Sequence, residues 1–541
     1  MTDKLPETQY AVQFTAKKTA VVNPSKPVDP VGPTQIMVKV EACGICFSDI
    51  KLINAFSDHP RKGPVTSGLS PDQLAAIPSY KPGETPVVPG HEPVGVIVAV
   101  GDQVTKHKVG ERVLIQTDYR HLPTKGSNAA FGYNFDGALE EYALMDENVI
   151  VGPDDVSFLI PVSNGPSASA VALIEPWACV EASYAWNERR KLREGGKLLI
   201  VLDEGREAKG VEILTDQSKP GWTTTIGADG LANIENEKFD DIIYFGTSGD
   251  VIETLENHLA WNGILDVVLG GGAVDRKTKV DVGRVHYDLI RYTGTRGDNA
   301  AEGYKRIPAK PELRAGDKMA VIGAAGPMGL MHVVRSVVSS IKDITVDAVD
   351  VDDARLERLE EVVAPMAIKY GVPTSFRNSK ERPLEAGYSY VSVMVPAAPL
   401  VQQALDVAAP GAIINAFAGF PIGTAVELDV DKMVGDDVYM VGTSGSRIED
   451  MITMKQKVDE GIVDTNVSLW AVCGMAGVND ALAAVENRTS GGKIMVYPEL
   501  HHLGLVKLSE MNERFPDVAI EMNDGIWTRA AEKMLLREAR D

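Results

Sequence analysis

The chain is 541 residues long with a formal net charge of −22, and at roughly 150 residues per domain it should hold three or four domains. A composition of 24% charged and 44% apolar residues is that of a folded soluble protein, while 54 basic against 76 acidic residues argues against nucleic-acid or membrane-surface binding. No apolar run approaches the roughly 18 residues of a membrane span, MTDKLPETQY lacks the pattern of a signal peptide, and four cysteines are too few for a disulfide scaffold, so a cytoplasmic location is expected.

In chain order, residues 8–155 read as β-rich: short runs such as QIMVKVEA, VGVIVAV and RVLIQT are punctuated by Gly and Pro. SASAVALIEPWACVEASYAW then reads as a helix. Beyond it apolar strands alternate with helical stretches, the pattern of βαβ units and a parallel sheet. The unit occurs twice: LREGGKLLIV (192–201) resembles LRAGDKMAVI (313–322), FDDIIYF (239–245) begins a stretch resembling YSYVSVM (388–394), and RYTGTRG (291–297) resembles YMVGTSG (439–445). Three similar segments in the same order point to an internal duplication, offset by 121 positions at its start and by 148 at Gly263/Gly411 and Gly294/Gly442.

The second copy carries a nucleotide signature. After the strand KMAVI come Gly323, Ala325, Gly326, Pro327, Met328 and Gly329, opening a helix. Small residues there let backbone N–H groups approach a pyrophosphate at the helix N-terminus. The next strand ends at Asp350, where a carboxylate can accept from ribose hydroxyls and favours NAD over NADP. Asp352, Asp353 and Arg355 keep NADP open, since Arg355 is placed to serve a 2′-phosphate. Thr443, in VGTSG, is a further cofactor-side candidate. The first copy has Glu204, Arg206 and Glu207 in the turn and no glycine triplet, so it is expected to bind no dinucleotide.

The β-rich region holds CGICFSDIK (43–51) and PGHEPVGVIVAVG (89–101), and Glu175 follows in IEPWACVE. Thiolate, imidazole and carboxylate donors from separate segments suit a catalytic zinc with one position left for water or substrate. GHE-x-x-G-x(5)-G-x-x-V, from Gly90 to Val104, resembles the zinc signature of the medium-chain dehydrogenase/reductases at every fixed position. CGIC-x-SD, the following EP and the later nucleotide unit fall in that family's order.

The resemblance implies an α/β fold: a β-rich GroES-like catalytic domain (1–185), a degenerate Rossmann-like module (186–305), an NAD(P)-binding Rossmann domain (306–485), both units doubly wound, and a C-terminal segment returning to the catalytic domain (486–541). It makes Cys46 and His91 zinc ligands, Glu92 a ligand or close neighbour that also stands in the catalytic set, and Glu175 the fourth position, directly or through water. Cys43 becomes a structural neighbour. Ser48 matches the family's proton-relay hydroxyl, and Lys51 stands where many members carry a relay histidine. The family's four-cysteine structural zinc lobe has no counterpart, because 112–143 contain no cysteine.

The implied activity is hydride transfer between a nicotinamide cofactor and a secondary alcohol or ketone of a polyol, sugar or sugar phosphate. FDDIIYF, VGTSG and the C-terminal tail resemble the L-sorbose-1-phosphate reductase group. Arg120, Tyr133 and Asn134 are weaker substrate candidates; Arg120 reads first as solvated surface charge. A homo-oligomer, dimer or tetramer, is implied. Two other readings are a zinc-free quinone or enone reductase and a non-catalytic nucleotide-binding scaffold.

Overall fold

The computed structural model describes residues 5–540; the first four residues of the MTDKLPETQY stretch lie outside the described residues. The chain divides into two compact units, one built from the chain up to Ala178 together with Ser446 onward, the other from Cys179–Gly445.

In the first unit QIMVKVEACGI forms the strand Gln35–Ile45, which supplies the centre of the main sheet because almost all of it is buried. The strand order is Val506–Lys507, Leu469–Cys473, Lys493–Val496, Gln35–Ile45, Glu92–Val100, Arg112–Ile115 and Leu159–Pro161, with Tyr142–Asp146 also pairing Gln35–Ile45. Register decides what this sheet does: Gly44 lies opposite Glu92 on one side and opposite Met495 on the other. One strand end therefore gathers the GHE strand and the distant Lys493 strand beside the CGIC segment. SASAVALIEPWACVEASYAW forms two helices, Ala168–Ala172 and Ile174–Ala185, rather than the single helix expected. Pro176 explains the break: it has no N–H to continue a helix from the preceding turn but is tolerated in the first turn of a new one.

The second unit carries two parallel sheets. The first is built from β1 (Lys197–Leu202), β2 (Trp222–Gly227), β3 (Phe239–Phe245), β4 (Leu259–Val268) and β6 (Arg291–Thr295), with β5 (Thr278–Asp281) outside it. The second is built from β7 (Lys318–Ile322), β8 (Thr345–Asp350), β9 (Thr374–Asn378), β10 (Tyr388–Val393), β11 (Ala408–Asn415) and β13 (Tyr439–Val441), with β12 (Ala425–Leu428) outside it. The orders are β2-β1-β3-β4-β6 and β9-β8-β7-β10-β11-β13, the same arrangement once β9 is set aside. Runs such as LLIV and MAVI are buried, as expected for parallel strands covered on both faces. In each sheet the order reverses beside the first strand, the crevice where open α/β sheets bind ligands. Among the described residues no helix is long and apolar enough to cross a membrane.

Candidate functional site

The CGIC cysteine Cys46 is the N-cap of the helix Phe47–Ala55, and its sulfur accepts from the Ser48 N–H (3.3 Å). His91 and Glu92 arrive from the neighbouring strand. A side chain at Gly44 would run into the Glu92 carboxylate, so the glycine of CGIC is what admits Glu92 to this strand end. Cys46 Sγ and His91 Nε2 stand 3.0 Å apart, and ligand atoms of Cys46, His91 and Glu92 all lie within 4.8 Å of one another.

Two residues that sequence reasoning missed hold this cluster. Asp49, buried, accepts from the Cys46 N–H (3.0 Å) and stands 3.3 Å from His91 Nδ1. Burial pushes its carboxyl up, but the His91 charge and the hydrogen bonds it accepts win and hold it below the usual range. Lys493 Nζ donates to Glu92 Oε1 (2.5 Å), both side chains being buried. Burial disfavours the ammonium, yet Glu92, Cys46 and Glu175 raise its pKa and keep it charged. The His91 imidazole is likewise pushed up: desolvation opposes protonation, and Cys46, Tyr133 and Asp49 outweigh it. Cys43 differs, since complete burial raises its thiol well above the ordinary value. Asp49 was legible in the CGICFSD run; Lys493, 401 positions from Glu92, has no local signal.

Of the other expected residues, Glu175 lies in the first turn of the helix Ile174–Ala185, outside the three-residue cluster. Burial first, then the Glu92 charge, push its carboxyl up to about 7. Ser48 and Lys51 lie on the helix that Cys46 caps, with Lys51 exposed. Tyr133 is buried with its ring 5.5 Å from that of His91 and 5.1 Å from that of His59; the Arg61 guanidinium lies 5.4 Å from the Tyr133 ring centre. Asn134 is fully buried. Its amide accepts from the Ala130 N–H and donates to the Gly63 carbonyl, which makes it a brace for the loop. Arg120 is exposed and donates to the Ser446 carbonyl (3.2 Å).

In the second unit Gly326 caps the helix Pro327–Val337, with Pro327, Met328 and Gly329 in its first turn. Gly329 is required by packing, because a Cβ there would lie 2.6 Å from the Ala324 Cα. Gly326 is different: a Cβ there meets only the Gly323 carbonyl oxygen, at 3.7 Å. Asp350, at the end of β8, accepts from the Ala325 N–H (3.0 Å), tying the acid to the turn. Arg355 follows in the first turn of the helix Asp353–Tyr370, and the buried Thr443 hydroxyl has no hydrogen-bond partner among the described residues. At the equivalent strand ends of the first sheet, side chains bond to one another and to the backbone. Asp203 accepts from the Tyr244 hydroxyl (2.8 Å) and Thr247 N–H (3.2 Å), while Arg206 donates to the Val268 carbonyl (2.8 Å) at the end of β4.

Residues 32–154 match the alcohol dehydrogenase GroES-like domain. A GroES-like domain joined to Rossmann-like parallel sheets is the architecture of the medium-chain dehydrogenases. The chain is similar to mannitol-1-phosphate 5-dehydrogenase of Aliivibrio fischeri, 25% identical over 246 residues, 41% of this chain and 57% of that protein. It is also similar to (R,R)-butanediol dehydrogenase of Bacillus subtilis, 28% identical over 238 residues, 39% of this chain and 59% of that protein. The chain thus spans under two thirds of the length of these relatives. The crystal structure of 2R,3R-butanediol dehydrogenase from Bacillus subtilis superposes with a TM-score of 0.51 at 16% identity, covering 91% of this chain and 100% of that one, a likeness of fold.

Proposed function

We propose that the chain is a zinc- and nicotinamide-dependent oxidoreductase acting on a secondary alcohol, or the corresponding ketone, of a polyol, sugar or sugar phosphate. The observation that carries this reading is the convergence of Cys46, His91 and Glu92 at one strand end. The donor set fits zinc: a soft sulfur and an imidazole nitrogen face one another at 3.0 Å, and Glu92 Oε2 is buried without a hydrogen-bond partner among the described residues. Cys46, His91 and Glu92 would hold the metal, with Glu175 beside them. Bound there, zinc acts as a Lewis acid on the substrate oxygen.

The chain's own residues do the rest. Asp49 orients His91, and Lys493 holds Glu92 in place and balances the negative charge gathered at this strand end. Ser48, in the first turn beyond Cys46, accepts the hydroxyl proton of the alcohol as it releases its own to water, which leaves past the exposed Lys51 one turn on. Tyr133, with Arg61 over its ring, walls the site. In the second unit the turn Gly323, Ala325 and Gly326, with Pro327, Met328 and Gly329 opening the helix, receives the pyrophosphate. Asp350 accepts from the ribose and favours NAD, with Arg355 and Thr443 at the periphery. The hydrogen bonds of Asp203 and Arg206 at the first sheet's strand ends, where no glycine turn stands, support one dinucleotide per chain. The names of the relatives, a sugar-alcohol phosphate and a diol dehydrogenase, support the substrate class.

The test is zinc analysis of the purified chain with NAD and NADP reduction across a polyol and sugar-phosphate panel. Undiminished turnover in Cys46→Ala would favour the zinc-free enone reductase, and absence of any turnover the scaffold.

A further inference from the structure

We infer that the first Rossmann-like module is a built-in partner: it occupies, in cis, the position of a second copy of the nucleotide-binding module in a two-fold dimer. A two-fold interface is isologous, so a contact from residue i to residue j recurs from the equivalent of j to the equivalent of i. The contact between the two modules has this form when residues 148 positions apart are taken as equivalent, the offset given by Gly294 and Gly442.

The antiparallel pair β5–β12 shows it first. Thr278 pairs Leu428 and Val280 pairs Val426, two pairs that exchange under the offset. Lys279 pairs Glu427, which is its own equivalent, so this pair sits on the pseudo-two-fold axis. The edge strands repeat the relation. A Cβ on Gly294 of β6 would lie 2.9 Å from a methyl of Val434, and one on Gly442, just past β13, would lie 2.8 Å from the Cα of His286. Gly294 and Gly442 are equivalents, and so are Val434 and His286. Bonds also run both ways between the modules beside these strands, without strict equivalence under the offset: Gly423 N–H donates to Asp281 (2.7 Å), and Val274 N–H donates to Asp431 (2.9 Å). One hydrophobic core, from Leu199, Tyr244 and Val267 to Ile414, Phe420 and Met440, runs through both modules.

Divergence at the axis fixes which partner is accepted. Two identical modules would set Lys against Lys or Glu against Glu there, and like charges directly opposite destabilise an antiparallel pair. Here the two strands carry Lys279 and Glu427. Arg291 and Tyr439, also equivalents, both donate to the buried Glu188 carboxylate (2.9 and 2.7 Å); two arginines or two tyrosines could not reproduce that triad. The edge of the nucleotide-binding sheet is thereby closed within one chain, and the module that lost its glycine turn keeps a defined role as the other half of this interface.

Cysteines at the axis test this in the full-length chain. Paired antiparallel Cα atoms stand about 4.5–5.5 Å apart, within disulfide range. After oxidation, the double variant Lys279→Cys, Glu427→Cys is expected to close an intrachain disulfide, seen on a non-reducing gel as a monomer of altered, dithiothreitol-reversible mobility. Glu427→Cys alone and Lys279→Cys alone are expected to give no more disulfide-linked dimer than the unsubstituted chain. Covalent dimer from Glu427→Cys alone would show nucleotide modules pairing between chains and overturn the inference. A double variant that forms only interchain bonds, or none, would overturn it as well.

Discussion

Lys493 Nζ lies 2.5 Å from Glu92 Oε1 in a buried pair joining strands 401 positions apart in the chain. Removing one partner of such a pair leaves the other charge desolvated without compensation. Lys493→Met is therefore expected to cost about 3–5 kcal/mol of stability, with a smaller loss in Lys493→Arg, read by denaturant unfolding. A loss in Lys493→Met no larger than in Lys493→Arg would show that the pair does not hold this strand end together.

The glycines of the nucleotide turn separate packing from ligand approach. Gly326→Val is expected to leave the thermal midpoint within a few degrees, because the space above Gly326 is open in the fold. It should nevertheless lower dinucleotide affinity by about two orders of magnitude, since the added methyls stand where the pyrophosphate must reach backbone N–H groups. Gly329→Val, driven against the Ala324 backbone, should instead destabilise the module. Calorimetric titration with NAD and a thermal melt on both variants distinguish the two effects; unchanged affinity in Gly326→Val would remove this turn from the binding site.

Stability should fall as the solution is acidified below pH 6.5, in part through His332. Its imidazole is completely buried in the helix Pro327–Val337, where desolvation and the Arg335 charge push its pKa down to about 3. Between pH 6.5 and 3 the unfolded chain thus binds a proton here that the folded chain does not, so stability rises with pH across that window. One such group contributes about 1.4 kcal/mol per pH unit. His59, pushed down to about 4 by burial and Arg61, acts in the same direction. Urea unfolding at pH 7 and pH 5 should show a loss in the unsubstituted chain that is about 2 kcal/mol smaller in His332→Gln; equal losses would contradict the assignment.

Much of this was legible in the residues, for local reasons. GHE and CGIC are short segments whose chemistry depends on neighbours one to five positions away, so Cys46, His91 and Asp49 are all within reach of a motif. The nucleotide turn is legible because strand, glycine turn, helix and acid are consecutive. The motif leaves Glu92 open between ligand and neighbour, and its tie to Lys493 has no local signal: KIMV is an ordinary strand, and only sheet register brings it beside Gly44. Sequence alone makes Asn134 as good a substrate candidate as Tyr133, whereas pairing with Gly63, 71 positions away, decides where its amide goes. The duplication was visible as three similar segments, whereas the reciprocal contacts between the copies depend on the two sheets meeting edge to edge.

One paired measurement decides whether hydride transfer is centred on a metal at Cys46, His91 and Glu92. Zinc content and NAD reduction at 340 nm with a polyol and sugar-phosphate panel are followed in the purified chain and in Cys46→Ser. About one zinc per chain and turnover on at least one secondary alcohol are expected, with both lost in Cys46→Ser while the thermal melt remains cooperative. Turnover that survives in Cys46→Ser at the original rate, or a chain that reduces NAD without holding metal, would contradict a metal-centred transfer.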